Sequence, residues 1–322
     1  MEFLIGGSAA VCAGFFTNPL EVLKTRMQLQ GELRAKGQHA VHYRNVVHAG
    51  YTVAKNDGIL ALQKGLSPAL WVQLVMNGLR LAILLHSYCQ QVLFNLLSQE
   101  ATCKTKMAKK CFTNKFFLAE SGGVLGQFLA SPLFLIKTHL QSKAVAAIAV
   151  GHQHEHTGLF GALSNIYRKN GVKGLFRGAG ASIPRAFVGS TSQLLSFDYA
   201  KAYLDNYEYF SGRPLLKSFL GSMVGGVAIS VMMTPFDLIL TRLYNQPIGE
   251  NGKGKLYISY MDCVSKIYRS EGISAFYKGV GPMYLRLGPH TVLCLVFWDI
   301  LKDFHEKYTV NVNSDIIEKT IN

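Results

Sequence analysis

Charge is what this chain has least of. Ionisable residues make up 16% of it, where a soluble domain carries about a quarter. Acids are the scarcer sign: 19 Asp and Glu stand against 33 Lys and Arg, for a net charge of +14. Cysteine is sparse and dispersed. Cys12, Cys89, Cys103, Cys111, Cys263 and Cys294 form no CxxC pair, which argues against a secreted disulfide scaffold and gives no zinc site. A GxxxxGK[S/T] phosphate loop, an HExxH pair and a GxSxG elbow are all missing, so no enzyme, metal or cofactor is expected. Met1-Glu2 runs directly into FLIGGSAAVCAGFFTNPL without an Arg-rich leader, so targeting by internal signals is expected. The basic residues do not gather beside base-stacking aromatics, and nucleic acid is not an expected partner.

Long apolar stretches fill the space that charge leaves. Phe3 to Leu20 and Ser218 to Phe236 carry no charge and approach the roughly 20 residues that span a bilayer core. Four more stretches carry one charge each: Leu66 to Leu97 with Arg80, Phe116 to Ile136 with Glu120, Ala179 to Leu195 with Arg185, and Val280 to Phe297 with Arg286. A single charge in such a run suits either a buried soluble helix or a span whose charge faces a bundle interior.

Repetition favours the second reading. Pro19, Pro132 and Pro235 close alternate stretches and open PLEVLKTRMQ, PLFLIKTHLQ and PFDLILTRLY. Downstream lie DGILALQKG (57–65), NGVKGLFRG (170–178) and EGISAFYKG (271–279), at offsets of 38, 38 and 36 residues from the prolines. Offsets of 53, 53 and 51 reach Val72, Arg185 and Arg286. Each unit of about a hundred residues reads as helix, basic loop with a short amphipathic helix, helix.

The motif P-x-[D/E]-x-x-[K/R] in three phased copies resembles the mitochondrial carrier family, solute carrier family 25. The loop QSKAVAAIAVGHQHEHTG (141–158) and the run RLYNQPIG (242–249) are similar to one branch of it, that of members 34 and 35 and the fungal mitochondrial oxaloacetate carrier. The resemblance implies an all-α membrane protein: six transmembrane helices in three tandem helix-loop-helix repeats with pseudo-threefold symmetry, plus short matrix helices. The repeats fall at 1–97, 112–204 and 213–304, with a C-terminal tail at 305–322. It implies an inner-membrane carrier that works by alternating access, a small anionic substrate, cardiolipin as lipid partner, and a monomer. The three long loops (24–64, 137–178, 242–279) hold nineteen Lys and Arg, and the segments opposite (98–115, 201–217, 302–322) hold eleven. That excess marks the long-loop side as the matrix and places both termini towards the intermembrane space, although KTKMAKK (104–110) runs against it.

Prolines inside helices kink them, so Pro19, Pro132 and Pro235 are expected to draw three helix ends to one axis. The acid positions of the motif hold Glu21, Phe134 and Asp237, and the base positions hold Lys24, Lys137 and Leu240. Pairing each acid position with the base position of the next repeat gives Glu21–Lys137, Asp237–Lys24 and Phe134–Leu240. Every charge is then matched and the two apolar residues meet, whereas the reverse direction and pairing within repeats each leave two charges alone. The resemblance makes this a matrix gate. It makes Gln28, Gln141 and Tyr244 braces beneath the pairs, although ordinary polar helix positions fit them too. At the cytosolic end it makes Asp198, Lys201, Asp299 and Lys302 a weaker gate, with Tyr88 as a further partner for Asp299. Interfacial charges are the plainer reading there.

Between the gates, Gln73, Asn77 and Arg80 share one helical face, and Arg286 shares another with His290. Arg185 and Arg286 sit in equivalent phases, and Arg80 has a second reading as a snorkelling side chain. With few carboxylates near them, these arginines suit a small dianion: a dicarboxylate, an oxo-dicarboxylate such as oxaloacetate, or a sulfur oxoanion. The adenine nucleotide exchanger's RRRMMM signature is absent. His290 is placed either as a proton carrier or as a plain hydrogen-bonding residue. An antiporter of small dianions is therefore the expected function, with a membrane receptor or scaffold that has lost transport, or a carrier of another small anion, as the alternatives.

Overall fold

The computed structural model describes residues 2–34, 42–76, 124–156, 158–205, 214–249 and 254–321. Its long elements are helices α1 (Glu2–Leu29), α2 (Val46–Asp57), α3 (66–76), α4 (Ser131–Ser142), α5 (Leu159–Leu175), α6 (Ala179–Asp205), α7 (Pro214–Asn245), α8 (Tyr260–Glu271) and α9 (Val280–Ile321). Among the described residues, extended pairing is confined to one bridge between Ile248 and Gly254.

Length separates two kinds of helix. With 28, 27 and 32 residues, α1, α6 and α7 each exceed the bilayer core at about 1.5 Å per residue. The 12-residue α2 and α8 are loop helices with N-caps, the Asn45 side chain accepting from the His48 N–H and the Ser259 hydroxyl from the Asp262 N–H. Alongside a buried apolar core, large apolar side chains also face outwards on the long helices. Arg26 and Arg242 are 0% exposed, whereas Phe16 is 58% and Val224 61% exposed on the long helices. Apolar residues facing outwards and guanidinium groups sealed inside are what a lipid surroundings selects.

The prolines do not act alike. Pro19 and Pro235 lie inside continuous helices, while Pro132 stands in the first turn of α4, which restarts at Ser131 after a turn at Ala130. The expectation of three equivalent interior prolines is corrected at that repeat. Pro132 has no N–H to bond, and a helix start is where that loss costs least.

α1 packs along α9, and α6 along α7. Two apolar clusters underlie the loop end. One joins Leu23, Leu29, Tyr43 and Val53; the other joins Leu135, Ile136, Leu238, Leu243 and Ile267. Three glycines close the bundle cyclically. A Cβ on Gly65 would lie 2.8 Å from the Gln141 Cγ, one on Gly178 3.0 Å from the Tyr244 ring, and one on Gly279 3.0 Å from the Gln28 Cγ. All three have φ between 74° and 92°, so each turn demands glycine twice over.

Candidate functional site

Where α1, α4 and α7 converge, the motif side chains form a ring. Lys24 Nζ lies 2.7 Å from Asp237 Oδ2, and Lys137 Nζ lies 2.5 Å from Glu21 Oε2. Both pairs join neighbouring repeats in the forward direction. Asp237 is 3% exposed and Lys24 7%, so leaving either alone would be costly. The space bounded by these residues, with Phe134, Leu240 and Arg185 on its wall, is about 40 Å³, which is room for a few waters.

Two arginines enter the same ring. Arg185 Nε donates to Asp237 Oδ1 at 2.7 Å, and Arg286 Nη1 donates to Glu21 Oε1 at 2.9 Å. Each ring acid thus divides its two oxygens between a lysine and an arginine. The sequence placed Arg185 and Arg286 apart from the motif charges, and the structure joins the two sets.

The third pair takes a different form. Leu240 is buried at 4% exposure, and Phe134 packs on the cluster that contains it. The Phe134 ring lies 5.8 Å from both Lys137 Nζ and Arg185 Cζ. A π face therefore stands between two cations where the other repeats hold a carboxylate.

Of the brace positions, Gln28 alone bonds to an ion pair: its Nε2 donates to Asp237 Oδ2 at 3.0 Å, and its Oε1 accepts from Thr241. Gln141 instead accepts from Thr25 and donates to Asn18, and the Tyr244 hydroxyl meets Ser131 at 3.2 Å. At those two positions the contacts are the ordinary polar ones between helices that the sequence also allowed. His290 Nδ1 meets the Thr17 hydroxyl at 3.2 Å, tying α9 to α1. Gln73 is half-buried on α3, facing Gly14 of α1. Asp299 and Lys302 are exposed on α9. Asn77, Arg80, Tyr88 and the side chains of Asp198 and Lys201 lie outside the described residues.

A second layer, one turn beyond the ring, was not singled out from sequence. In the first repeat Arg26 Nη2 lies 2.8 Å and Lys64 Nζ 3.0 Å from Asp57 Oδ2. In the third, Arg242 and Lys278 hold Glu271 at 2.5 and 2.6 Å. Burial raises the two carboxyls, but the bonds from arginine and lysine outweigh it and hold both below the usual carboxylate range. Arg26 Nε reaches the Gln141 carbonyl and Arg242 Nε the Gln28 carbonyl, each at 3.3 Å. The signal was in the sequence: Arg26 and Arg242 each follow a proline by seven, and Asp57 and Glu271 open the matched downstream runs.

Three convergent helices and a cyclic ring with two ion pairs and one apolar pair match the threefold sequence repeat, and comparison with known proteins shows the family. A family model described as mitochondrial carrier protein matches residues 1–94, 108–208 and 211–309. The chain belongs to the mitochondrial carrier family. It is 46% identical over 308 residues to solute carrier family 25 member 35 of Mus musculus, covering 96% of this chain and 99% of that one. It is 39% identical over 300 residues to the mitochondrial oxaloacetate transport protein of Saccharomyces cerevisiae, covering 92% and 87%. It is 34% identical over 293 residues to the mitochondrial citrate transporter E of Aspergillus niger, covering 91% and 89%. As a carrier the protein is a mitochondrial inner-membrane solute transporter and not an enzyme.

In this carrier the second repeat lacks the outer ion pair. His139 takes the place of the arginine and Asn170 that of the acid. The His139 Nε2–H donates to the Tyr244 carbonyl at 2.9 Å, the same acceptor position that Arg26 and Arg242 use. Arg177 keeps the contact of its counterparts Lys64 and Lys278, donating to the Gln246 carbonyl at 2.9 Å. With no acid beside it, burial pushes Arg177 down to about 10. His154 stacks on His139 with centroids 3.5 Å apart, and burial lowers the His154 ring to about 4 despite its bond to the Asn245 carbonyl. Charge spacing along the helices gives no sign of this stack, because the His154 ring arrives from a loop.

Proposed function

We propose that this carrier exchanges small dianions by alternating access, with the Glu21, Lys24, Lys137 and Asp237 ring as the gate on the long-loop side. The observation that carries the reading is that Arg185 and Arg286 are each bonded to a gate acid. A dianion bridging the two guanidinium groups would compete for them, bidentate carboxylate or oxoanion contacts replacing the bonds to Asp237 and Glu21. Each gate acid would then lose one of its two cations, and the ring would be weakened when substrate is bound. Exchange follows, because an empty carrier keeps both arginines on the gate and opens slowly. Relatives named for oxaloacetate and citrate transport support a carboxylate substrate. The basic excess of the long loops supports a matrix-facing gate, with both termini towards the intermembrane space. A monomer with cardiolipin at its surface completes the reading by family resemblance.

The experiment is counter-exchange in liposomes with labelled oxaloacetate, malate, sulfate and thiosulfate. Arg185→Ala and Arg286→Ala should each lose exchange of every anion that the unmodified carrier moves, the missing contact being worth about 1.5–3 kcal/mol. Wild-type exchange in both variants would refute the site. Absence of uptake of any anion by folded, unmodified protein would favour the scaffold reading instead.

A further inference from the structure

The second repeat gathers three imidazoles that the exchange mechanism does not use. One ring nitrogen from each of His139, His154 and His156 lies within 4.8 Å of the others. His139 is 1% exposed, and its Nδ1 has no hydrogen-bond partner; the buried Nδ1 of His156 has none either. A carbonyl can only accept, so the Nε2 atoms of His139 and His154 must carry protons to bond Tyr244 and Asn245, at 2.9 and 3.1 Å. That tautomer leaves a lone pair on each Nδ1. Fixing one imidazole nitrogen on a backbone carbonyl so that the other faces a metal is the usual outer support of a histidine ligand.

We propose that His139, His154 and His156 bind a borderline divalent metal ion of the zinc type through their ring nitrogens. Three neutral imidazoles with an open fourth position suit that ion, and the absence of carboxylate and thiolate disfavours magnesium and copper(I). The rings are now nearly parallel, with interplanar angles of 15°, 17° and 6°. Coordination turns them towards one point by side-chain rotation of His154 and His156, which lie on a loop rather than a helix. The metal would join the end of α4 to the 143–158 loop at the place where the other repeats use Arg–acid pairs. Arg177, which donates to the Tyr244 and Gln246 carbonyls, and Lys143, which donates to the His156 carbonyl, are neighbouring cations and work against affinity. Sparse, separated cysteines gave no reason to expect a metal, and the site is built without them.

The test uses the purified full chain without a polyhistidine tag. Co²⁺ is titrated and followed by its visible d–d absorption, then displaced with Zn²⁺. One Co²⁺ per chain is expected. His154→Gln and His156→Gln should each weaken binding at least tenfold, and the exposed His48→Gln should leave it unchanged. Zn²⁺ should raise the melting temperature of the unmodified chain and not that of the His154→Gln/His156→Gln double variant. These variants avoid the buried His139, whose loss would disturb folding. Absence of a Co²⁺ band in the folded chain, or equal binding by the double variant, would overturn the proposal. Neither readout depends on transport.

Discussion

The first and third repeats supply an acid at two levels, between repeats in the gate ring and within each repeat one turn beyond it, whereas the second repeat supplies no acid at either level and presents rings. Lys24–Asp237 and Lys137–Glu21 form the inner level, and Asp57 and Glu271 each collect an arginine and a lysine at the outer level. At the matching places the second repeat puts the Phe134 ring between two cations and the His139–His154 stack under a carbonyl. The acceptors barely change: Arg26, His139 and Arg242 bond the equivalent carbonyls of Gln141, Tyr244 and Gln28, one in each repeat. The backbone fixes where a donor is needed, and the side chain that supplies it is free to vary. Two ways of filling one geometry should respond differently to charge removal, charge insertion and acid.

The largest expected effect is at the outer level. Glu271→Ala leaves Arg242, which is 0% exposed, without its carboxylate and should cost about 3–5 kcal/mol in thermal unfolding. Its counterpart Asn170→Ala removes no charge partner and should stay within about 0.5 kcal/mol. Comparable losses in the two variants would end the distinction between repeats.

Charge insertion at the inner level should be asymmetric. Leu240→Lys buries an ammonium with no acid in its own pair and should destabilise the closed ring by about 3 kcal/mol. Phe134→Asp should cost less, because Lys137 and Arg185 already flank that position. The double variant should recover part of the Leu240→Lys loss. A double-mutant cycle on melting temperature checks this, and strict additivity would mean that the two positions do not meet.

The braces sharpen the same contrast. Gln28→Ala removes a bond to a carboxylate and should cost about 1.5–3 kcal/mol while also changing the exchange rate. Gln141→Ala removes neutral bonds to Thr25 and Asn18 and should cost about 1 kcal/mol without a rate change beyond that of destabilisation.

The smallest effect is a difference in acid response. His154 is lowered in the fold, so the stability it contributes is complete above its unfolded value of 6.5 and is lost as pH falls from there to about 4. Asp57 and Glu271 are lowered from 3.8 and 4.5, so theirs is lost only as pH falls below those values. Hydrogen exchange at pH 5 should therefore loosen the 143–158 loop before the loops of the other repeats, and His154→Gln should remove that early step. Simultaneous loosening of all three loops would break the comparison.

Much of this was legible because it repeats. Three prolines in phase, with acids and bases at fixed distances, define which side chains share a level, and charge matching alone then selects Glu21–Lys137 and Asp237–Lys24 over the other pairings. Helical periodicity likewise put Arg185 and Arg286 at one depth. Sequence therefore determined the bundle, its cyclic order and the two ion pairs, since each depends on spacing along a helix and on the cost of a lone buried charge. What it left open depends on reach across the axis. That Arg185 and Arg286 end on Asp237 and Glu21, that only Gln28 meets an ion pair, and that His139 stacks on His154 follow from where long side chains and a loop arrive in space. Pro132 shows the same limit locally, because a proline motif reads identically in a helix interior and at a helix start, and only the packed bundle decides between them.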